Sequence, residues 1–378
     1  MKSDEQILKG KYAEAKIFTT NIDEETLNQV RRLVDHPYAN GSTIRIMPDT
    51  HIGKGAVVGT TMTFTDKIVP DVVGVDIGCG MFVAELGNLR VERRELERLD
   101  AAIKKHVPSG TGIRNQPHGF IRSIDLDSLY VPLENLDRIR RSLGSLGGGN
   151  HFIELNEDES GNLFLIIHSG SRSLGQQVAK FHQQKAIRYW QSKGNKTVEG
   201  HPIDPEFAYL EGDDMKQYLF DMALTQRYAH LNRKAMMMEI TQAMGWQPVR
   251  TFDVVHNYLD LKQRIIRKGA ISAQKGEEIL IPINMRDGSI LARGKGNPDW
   301  NDSAPHGAGR LLSRTQARKQ LKLNEFQQAM KGIYSTSVRK ATLDEAPFAY
   351  KPLEEILERT KETMEDVQIL KPLYNFKA

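Results

Sequence analysis

A chain of 378 residues with 39% hydrophobic and 26% charged content can bury a full core and falls in the ordinary globular range. No run approaches the roughly 18 apolar residues of a membrane span, and the polar stretch 1–12 lacks a signal peptide's apolar segment, so a soluble, cytoplasmic protein with no membrane partner is expected. The single cysteine, Cys79, excludes an internal disulfide and a zinc cluster of several thiolates, while a net charge of +4 and a pI near 8.9 suit a polyanionic partner without establishing one.

In chain order, the apolar run 68–75 predicts a strand leading into the turn Asp76-Ile-Gly-Cys79, with Gly74, Gly78 and Gly80 around the thiol. Residues 91–105 predict a helix. The runs 151–155 and 163–167, joined by the polar turn Glu159-Ser160-Gly161-Asn162, predict a β-hairpin. Residues equidistant from that turn face one another, which sets His151 beside His168 at the open end.

From 213 to 244 an acidic start, apolar positions at Met215, Leu219, Met222, Ala229, Met236 and Ile240, and Gly245 just beyond predict one long amphipathic helix whose methionines fill core. Strands are predicted at 251–255, ending next to His256, and at 278–283. A last helix is predicted at 324–331, capped by Asn324 and stopped by Gly332. No repeat or linker divides the chain and its elements do not alternate regularly. Residues 1–378 are therefore expected to form one compact α+β domain of mixed or antiparallel sheets flanked by helices.

A histidine at a strand end makes a good ligand, because the strand fixes the imidazole while the loop beyond leaves coordination positions open. A lone histidine is more often no ligand at all. Asp76 and Cys79 change the balance: with His151, His168 and His256 they supply five donors of mixed hardness, which suit two divalent first-row ions sharing a thiolate better than calcium or magnesium. Ligand type leaves zinc open. Two such ions can clamp a phosphoryl group during in-line displacement. Beside these ligands recur the loops Leu146-Gly-Gly-Gly-Asn150, Ser169-Gly-Ser-Arg172 and His306-Gly-Ala-Gly-Arg310, whose free backbone N–H groups can cradle phosphate while Arg172 or Arg310 pairs with it.

Taken together, Asp76-Ile-Gly-Cys79-Gly, Gly147-Gly-Gly-Asn-His151-Phe-Ile-Glu154, His168-Ser-Gly-Ser-Arg172, His256-Asn-Tyr258 and His306-Gly-Ala-Gly-Arg310 resemble the RtcB family of RNA ligases. The resemblance extends to Met47-Pro-Asp-Thr-His51, Arg267-Lys-Gly-Ala270 and Ala349-Tyr-Lys351. It implies an enzyme that uses GTP and two Mn²⁺ ions to seal RNA ending in a 2′,3′-cyclic phosphate or 3′-phosphate to RNA with a 5′-hydroxyl. Its substrates would be tRNA halves or nuclease-cleaved RNA, and an archease-type activator would be a partner.

The same resemblance gives Asp76, Cys79 and His151 to one manganese and Cys79, His168 and His256 to the other. It makes His306 the nucleophile toward the α-phosphate of GTP and assigns guanylate contacts to Asn150, Glu154, Gly307, Ala308, Gly309, Arg310, Tyr350 and Lys377, the last carried by the docked segment 367–376. Arg172 is placed on RNA phosphate. Departures from the family pattern are Ile281-Pro-Ile-Asn-Met-Arg286 in place of Pro-Gly-Ser-Met-Gly, Lys54 in place of an aromatic residue, and Ser173 in place of glycine. A two-metal RNA phosphodiesterase or phosphatase without ligation is the rival enzyme, and a non-catalytic RNA-binding or metal-sensing protein the rival from another class.

Overall fold

Two sheets organise the computed structural model, which describes residues 5–192, 197–198, 201–202 and 204–377; residues 1–4 of the polar start lie outside them. The six-stranded sheet runs Gln6–Lys9, Glu14–Ile17, Ile44–His51, Val58–Thr63, Ile265–Lys268, Asn257–Asp260, and only its Glu14–Ile17/Ile44–His51 pair is parallel. The seven-stranded sheet runs Arg250–Val255, Gly80–Gly87, Leu163–Ser169, Phe152–Glu157, Met364–Lys377, Gly288–Gly294, Glu278–Asn284, antiparallel throughout. Mixed and antiparallel sheets with helices packed on them make the class α+β, as expected.

The twofold period of a strand explains why this sheet reads as nearly continuous apolar sequence. Met81 and Val83 face one core with Phe152, Ile166 and Ile290, whereas Phe82, Ala84 and Leu86 face another with Ile153 and Leu165. The second face is covered by the helices Arg93–His106, through Leu99 and Ile103, and Gly212–Met244, through Met236 and Ile240. The N-terminal half of this long helix instead buries Met215, Tyr218 and Met222 in the core of the six-stranded sheet. Each such side chain contributes about 1.5–3 kcal/mol, so one helix fastens both cores together. Its methionines are core, and Gly245 ends it at φ 72°.

Three expectations need correction. The run 68–75 is a strand only at Lys67–Ile68; Pro70, with φ preset for a first helical turn, opens the short helix Pro70–Val73, and Gly74 ends it. The helix predicted at 324–331 spans Leu323–Ala329, so Asn324 lies inside its first turn and Lys322 occupies the cap without a side-chain bond. In the hairpin, Phe152 pairs with His168, one residue from the expected His151. The cause is the turn. Asp158 accepts from the Ser160 and Asn162 N–H groups and closes a longer loop than a symmetric count assumes. Among the described residues no helix is long and apolar enough to cross a membrane.

Candidate active site

Four adjacent strands of the larger sheet end together, and their ends carry the predicted ligands. Val255 pairs with Gly80, so His256 falls next to Cys79 and donates its N–H to the Cys79 carbonyl at 2.9 Å; His168 pairs with Met81 on the other side. His168 Nε2 lies 3.3 Å from Cys79 Sγ and 3.3 Å from His256 Nε2. His151 Nε2 lies 3.6 Å from the same sulfur and 3.1 Å from Asp76 Oδ2. All five expected ligands converge. They form two triads, Asp76–Cys79–His151 and Cys79–His168–His256, each with donor atoms within 4.8 Å of one another and Cys79 common to both.

Protonation suits a cation. His151 donates from Nδ1 to the Leu146 carbonyl at 2.8 Å, which turns Nε2 inward toward Asp76 and Cys79. Burial pushes His168 and His256 well below the usual imidazole range, so both are neutral. Despite burial, bonds from His151, Cys79 and the Ser171 N–H hold the Asp76 carboxyl below its ordinary value. The Cys79 thiol is pushed well up by burial and by Asp76, against the opposing charge of Arg233. A buried cluster of lone pairs and one carboxylate fits a divalent first-row ion at each triad, and such an ion deprotonates a coordinating thiol.

On the Asp76–His151 side lies a cavity of about 400 Å³, lined among others by Arg138, Asn150, Arg172 and Ser173. Arg172 donates to Gly110 O at 3.0 Å and Ser145 Oγ at 3.2 Å. Its approach requires Gly147, where a Cβ would sit 1.8 Å from Arg172 Nη1. Arg172 itself holds φ 59°, a strained value for a side-chain-bearing residue.

A second cavity, of about 430 Å³, is lined by every residue assigned to the guanylate: Asn150, Glu154, His306, Gly307, Ala308, Gly309, Arg310, Tyr350 and Lys377. Asn150 borders both cavities. His306 follows the strand Ser303–Pro305, and its Nδ1 lies 2.6 Å from Oδ2 of the fully buried Asp49. Nδ1–H therefore donates to the carboxylate and Nε2 keeps its lone pair. The loop after His306 presses on the same strand as Asp49: at Gly309, φ 77°, a Cβ would lie 2.6 Å from Asp49 O.

The cavity wall is charged. Against the cost of burial, Lys377, Arg314 and Arg310 hold the Glu345 carboxyl at about 2, and Tyr350 donates its hydroxyl to Glu345 at 2.8 Å. Lys377 forms an ion pair with Glu345 and lies over the Phe152 ring at 5.4 Å, so it is a buried wall residue and not a solvated terminus. Glu154 stands across from it, and burial raises its carboxyl to about 7 despite Lys377, Asn156 and Asn375.

The family described as tRNA-splicing ligase RtcB matches residues 29–128 and 122–378. The chain belongs to the RtcB family. An RNA-splicing ligase RtcB of Escherichia coli (strain K12) is 32% identical over 367 residues, 87% of this chain and 88% of that protein. A tRNA-splicing ligase RtcB of Nanoarchaeum equitans is 26% identical over 443 aligned positions, 93% of this chain and 91% of the relative. A tRNA-splicing ligase RtcB of Methanococcus maripaludis is 27% identical over 424, with 89% and 87% covered.

The three departures from the RtcB pattern fall in different places. Pro282, Ile283, Asn284 and Met285 line the His306 cavity, whereas Arg286 turns away to pair with Asp287 at 2.7 Å. Ser173 lines the Arg172 cavity. Lys54 is mostly exposed and pairs with Asp71 at 3.0 Å. Sequence reasoning assigned no role to Asp49, Glu345, Arg314 or Arg138. Asp49 stood inside the quoted Met47-Pro-Asp-Thr-His51 stretch, and Glu345 lies shortly before Ala349-Tyr-Lys351, so proximity to a matched motif was the available signal.

Proposed function

We propose that the chain is an RNA ligase that carries guanylate on His306 and joins an RNA 3′-phosphate, or a 2′,3′-cyclic phosphate opened to it, to a 5′-hydroxyl. The observation that carries this reading is His306 itself: its Nδ1 is fastened to Asp49, and its ring lines a cavity of about 430 Å³ that also reaches His168 of one triad. The relatives' names, RNA-splicing and tRNA-splicing ligases, support the substrate class.

Asp76, Cys79 and His151 would hold one Mn²⁺ and Cys79, His168 and His256 the other, supplying Lewis acidity to phosphoryl oxygens. The remaining chemistry belongs to side chains. His306 Nε2 attacks the α-phosphorus of GTP; a P–N bond forms, the bond to the β-phosphate oxygen breaks, and pyrophosphate leaves. As the imidazole gains positive charge, Asp49 stabilises it through Nδ1–H. An RNA 3′-phosphate oxygen then takes the guanylyl group, breaking the P–N bond. A 5′-hydroxyl finally attacks the 3′-phosphorus and expels GMP. The Arg172 cavity, across Asn150 from the nucleotide, is the place for the RNA end.

The rival hydrolase shares the triads but has no use for an imidazole aimed into a nucleotide cavity. Incubation with Mn²⁺ and GTP labelled in the α-phosphate should leave label on His306, located by mass spectrometry. Removal of RNA end phosphates with no protein-bound label would instead establish the hydrolase.

Glu154 gives a pH test. Guanine offers the N1–H and N2–H donors that a carboxylate accepts, and adenine does not. Glu154 with a value near 7 is protonated below neutrality, so the KM for GTP should fall by about tenfold from pH 6 to pH 8, consistent with ~1.4 kcal/mol per unit. The fold responds in the opposite sense: a raised carboxyl stabilises below its unfolded value and loses that contribution as pH rises through 7. Glu154→Gln should flatten the KM profile, and a KM independent of pH in the parent protein would remove Glu154 from guanine recognition.

Lys377→Met should raise the KM for GTP by about tenfold or more, since hydrogen bonds to charged groups contribute ~1.5–3 kcal/mol. The backbone bonds of residue 377 to Ser337 Oγ, at 2.7 and 2.8 Å, do not depend on the ammonium and should keep the strand docked. Guanylylation kinetics beside a circular dichroism melt check both halves, and an unchanged KM would confine Lys377 to the wall.

A further inference from the structure

Arg233 sits about two-thirds of the way along the helix Gly212–Met244 and is fully buried. Burying a guanidinium is costly unless its charge and its N–H groups are answered, and an apolar side chain would fill the same space more cheaply. Here they are answered by three separate strands or turns. Nη1 donates to the carbonyls of Gly78 at 2.6 Å and Ser169 at 2.8 Å, while Nε and Nη2 pair with Asp253 at 2.8 and 2.7 Å. Each partner adjoins a different ligand of the triads. Gly78 precedes Cys79, Ser169 follows His168, and Asp253 lies on the strand that ends beside His256.

The neighbouring residue grips the rest. Asn232 accepts from the Gly144 and Ser145 N–H groups and donates to Ser145 O, Ser169 Oγ and Gly170 O, holding the loop that leads to His151. His230 adds a 2.9 Å contact to Asp253. Ligands on four strand ends would otherwise drift with the twist of the sheet, and a loss of 1 Å in their spacing is enough to spoil a metal site.

We infer that Arg233 is a positioning residue: one guanidinium, clamped by Asp253, sets the spacing of Cys79, His168 and His256 and so assembles both metal sites together. This rests on the dinuclear reading given above. It assigns to Arg233 no contact with metal, nucleotide or RNA.

Arg233→Lys keeps the charge opposite Asp253, but one ammonium cannot reproduce the fork to Gly78 and Ser169. In calorimetric Mn²⁺ titrations the folded variant should bind both ions roughly tenfold to a hundredfold more weakly than the parent, the usual effect of removing an outer partner. The thiolate-to-cobalt band of the Co²⁺ form should weaken with it, and Asp253→Asn should move both readouts in the same direction. An arginine that only fills core gives another result: a lower melting temperature in chelator with unchanged Mn²⁺ affinity at low temperature, which overturns the clamp.

Should both variants fail to fold, hydrogen exchange on the parent decides. Mn²⁺ should slow exchange in residues 229–237 together with 76–82 and 166–172, and a helix that does not respond overturns the inference. A parent protein that binds no divalent ion overturns the dinuclear reading itself. Two ions bound normally by both parent and Arg233→Lys overturn the clamp alone.

Discussion

Replacing His306 with alanine should abolish covalent guanylate and cut the joining of 3′-phosphate to 5′-hydroxyl RNA by a factor on the order of 10⁴ or more, the scale seen when a nucleophile is removed. The variant should stay folded, because the ring is part-buried at the cavity edge, but it should melt lower, because the fully buried Asp49 loses its ring partner. Mn²⁺ binding should also survive, since neither triad includes His306. RNA already capped with guanylate on its 3′-phosphate should still be sealed by the variant, as the final attack of the 5′-hydroxyl does not use the imidazole. Asp49→Asn should retain the nucleophile but lose its orientation and the charge that stabilises an imidazolium, costing a factor on the order of 10² to 10⁴. Label from GTP on the His306→Ala protein, or parent sealing of 3′-hydroxyl to 5′-phosphate ends in preference to the proposed pair, would defeat the covalent role.

Part of the fold and of the candidate site is legible in the sequence, and the boundary has physical causes. Period and turn residues suffice for the existence of the hairpin, though not for its register around Asp158, and for the helix that ends at Gly245, because both are set by residues near one another in sequence. The strand Met364–Lys377 was not legible. Its Pro372 argues against a central strand and is accommodated by a shift in register between Pro372 and Tyr374, which only its neighbour Phe152–Glu157 explains. The five residues of the two triads could be singled out because strand-end histidines, one thiol and a glycine turn are local signals. Asp49 could not be given a role, because its partner lies 257 residues away. Glu345 and Arg233 are likewise defined by what folding brings to them.

Cys79→Ala should remove both metals at once. Cys79 is the sole thiol and the only residue common to the two triads, so its loss deletes the softest donor from each. Substitution elsewhere separates the sites: His151→Ala should weaken only the ion shared with Asp76, and His256→Ala only the ion shared with His168. The packing cost in the metal-free protein is small, because the thiol is a small side chain and alanine keeps its Cβ. The metal-dependent part of stability is what should vanish. At a concentration one hundred times the Kd, each bound ion adds about 2.7 kcal/mol to the folded state, which a melting curve with and without Mn²⁺ resolves. The parent should therefore gain stability on adding Mn²⁺, while Cys79→Ala gains almost none and bind fewer than two ions per chain by equilibrium dialysis. Two ions retained with full ligation in the Cys79→Ala protein would mean that the thiol is a bystander and that each triad is completed by a group other than this sulfur.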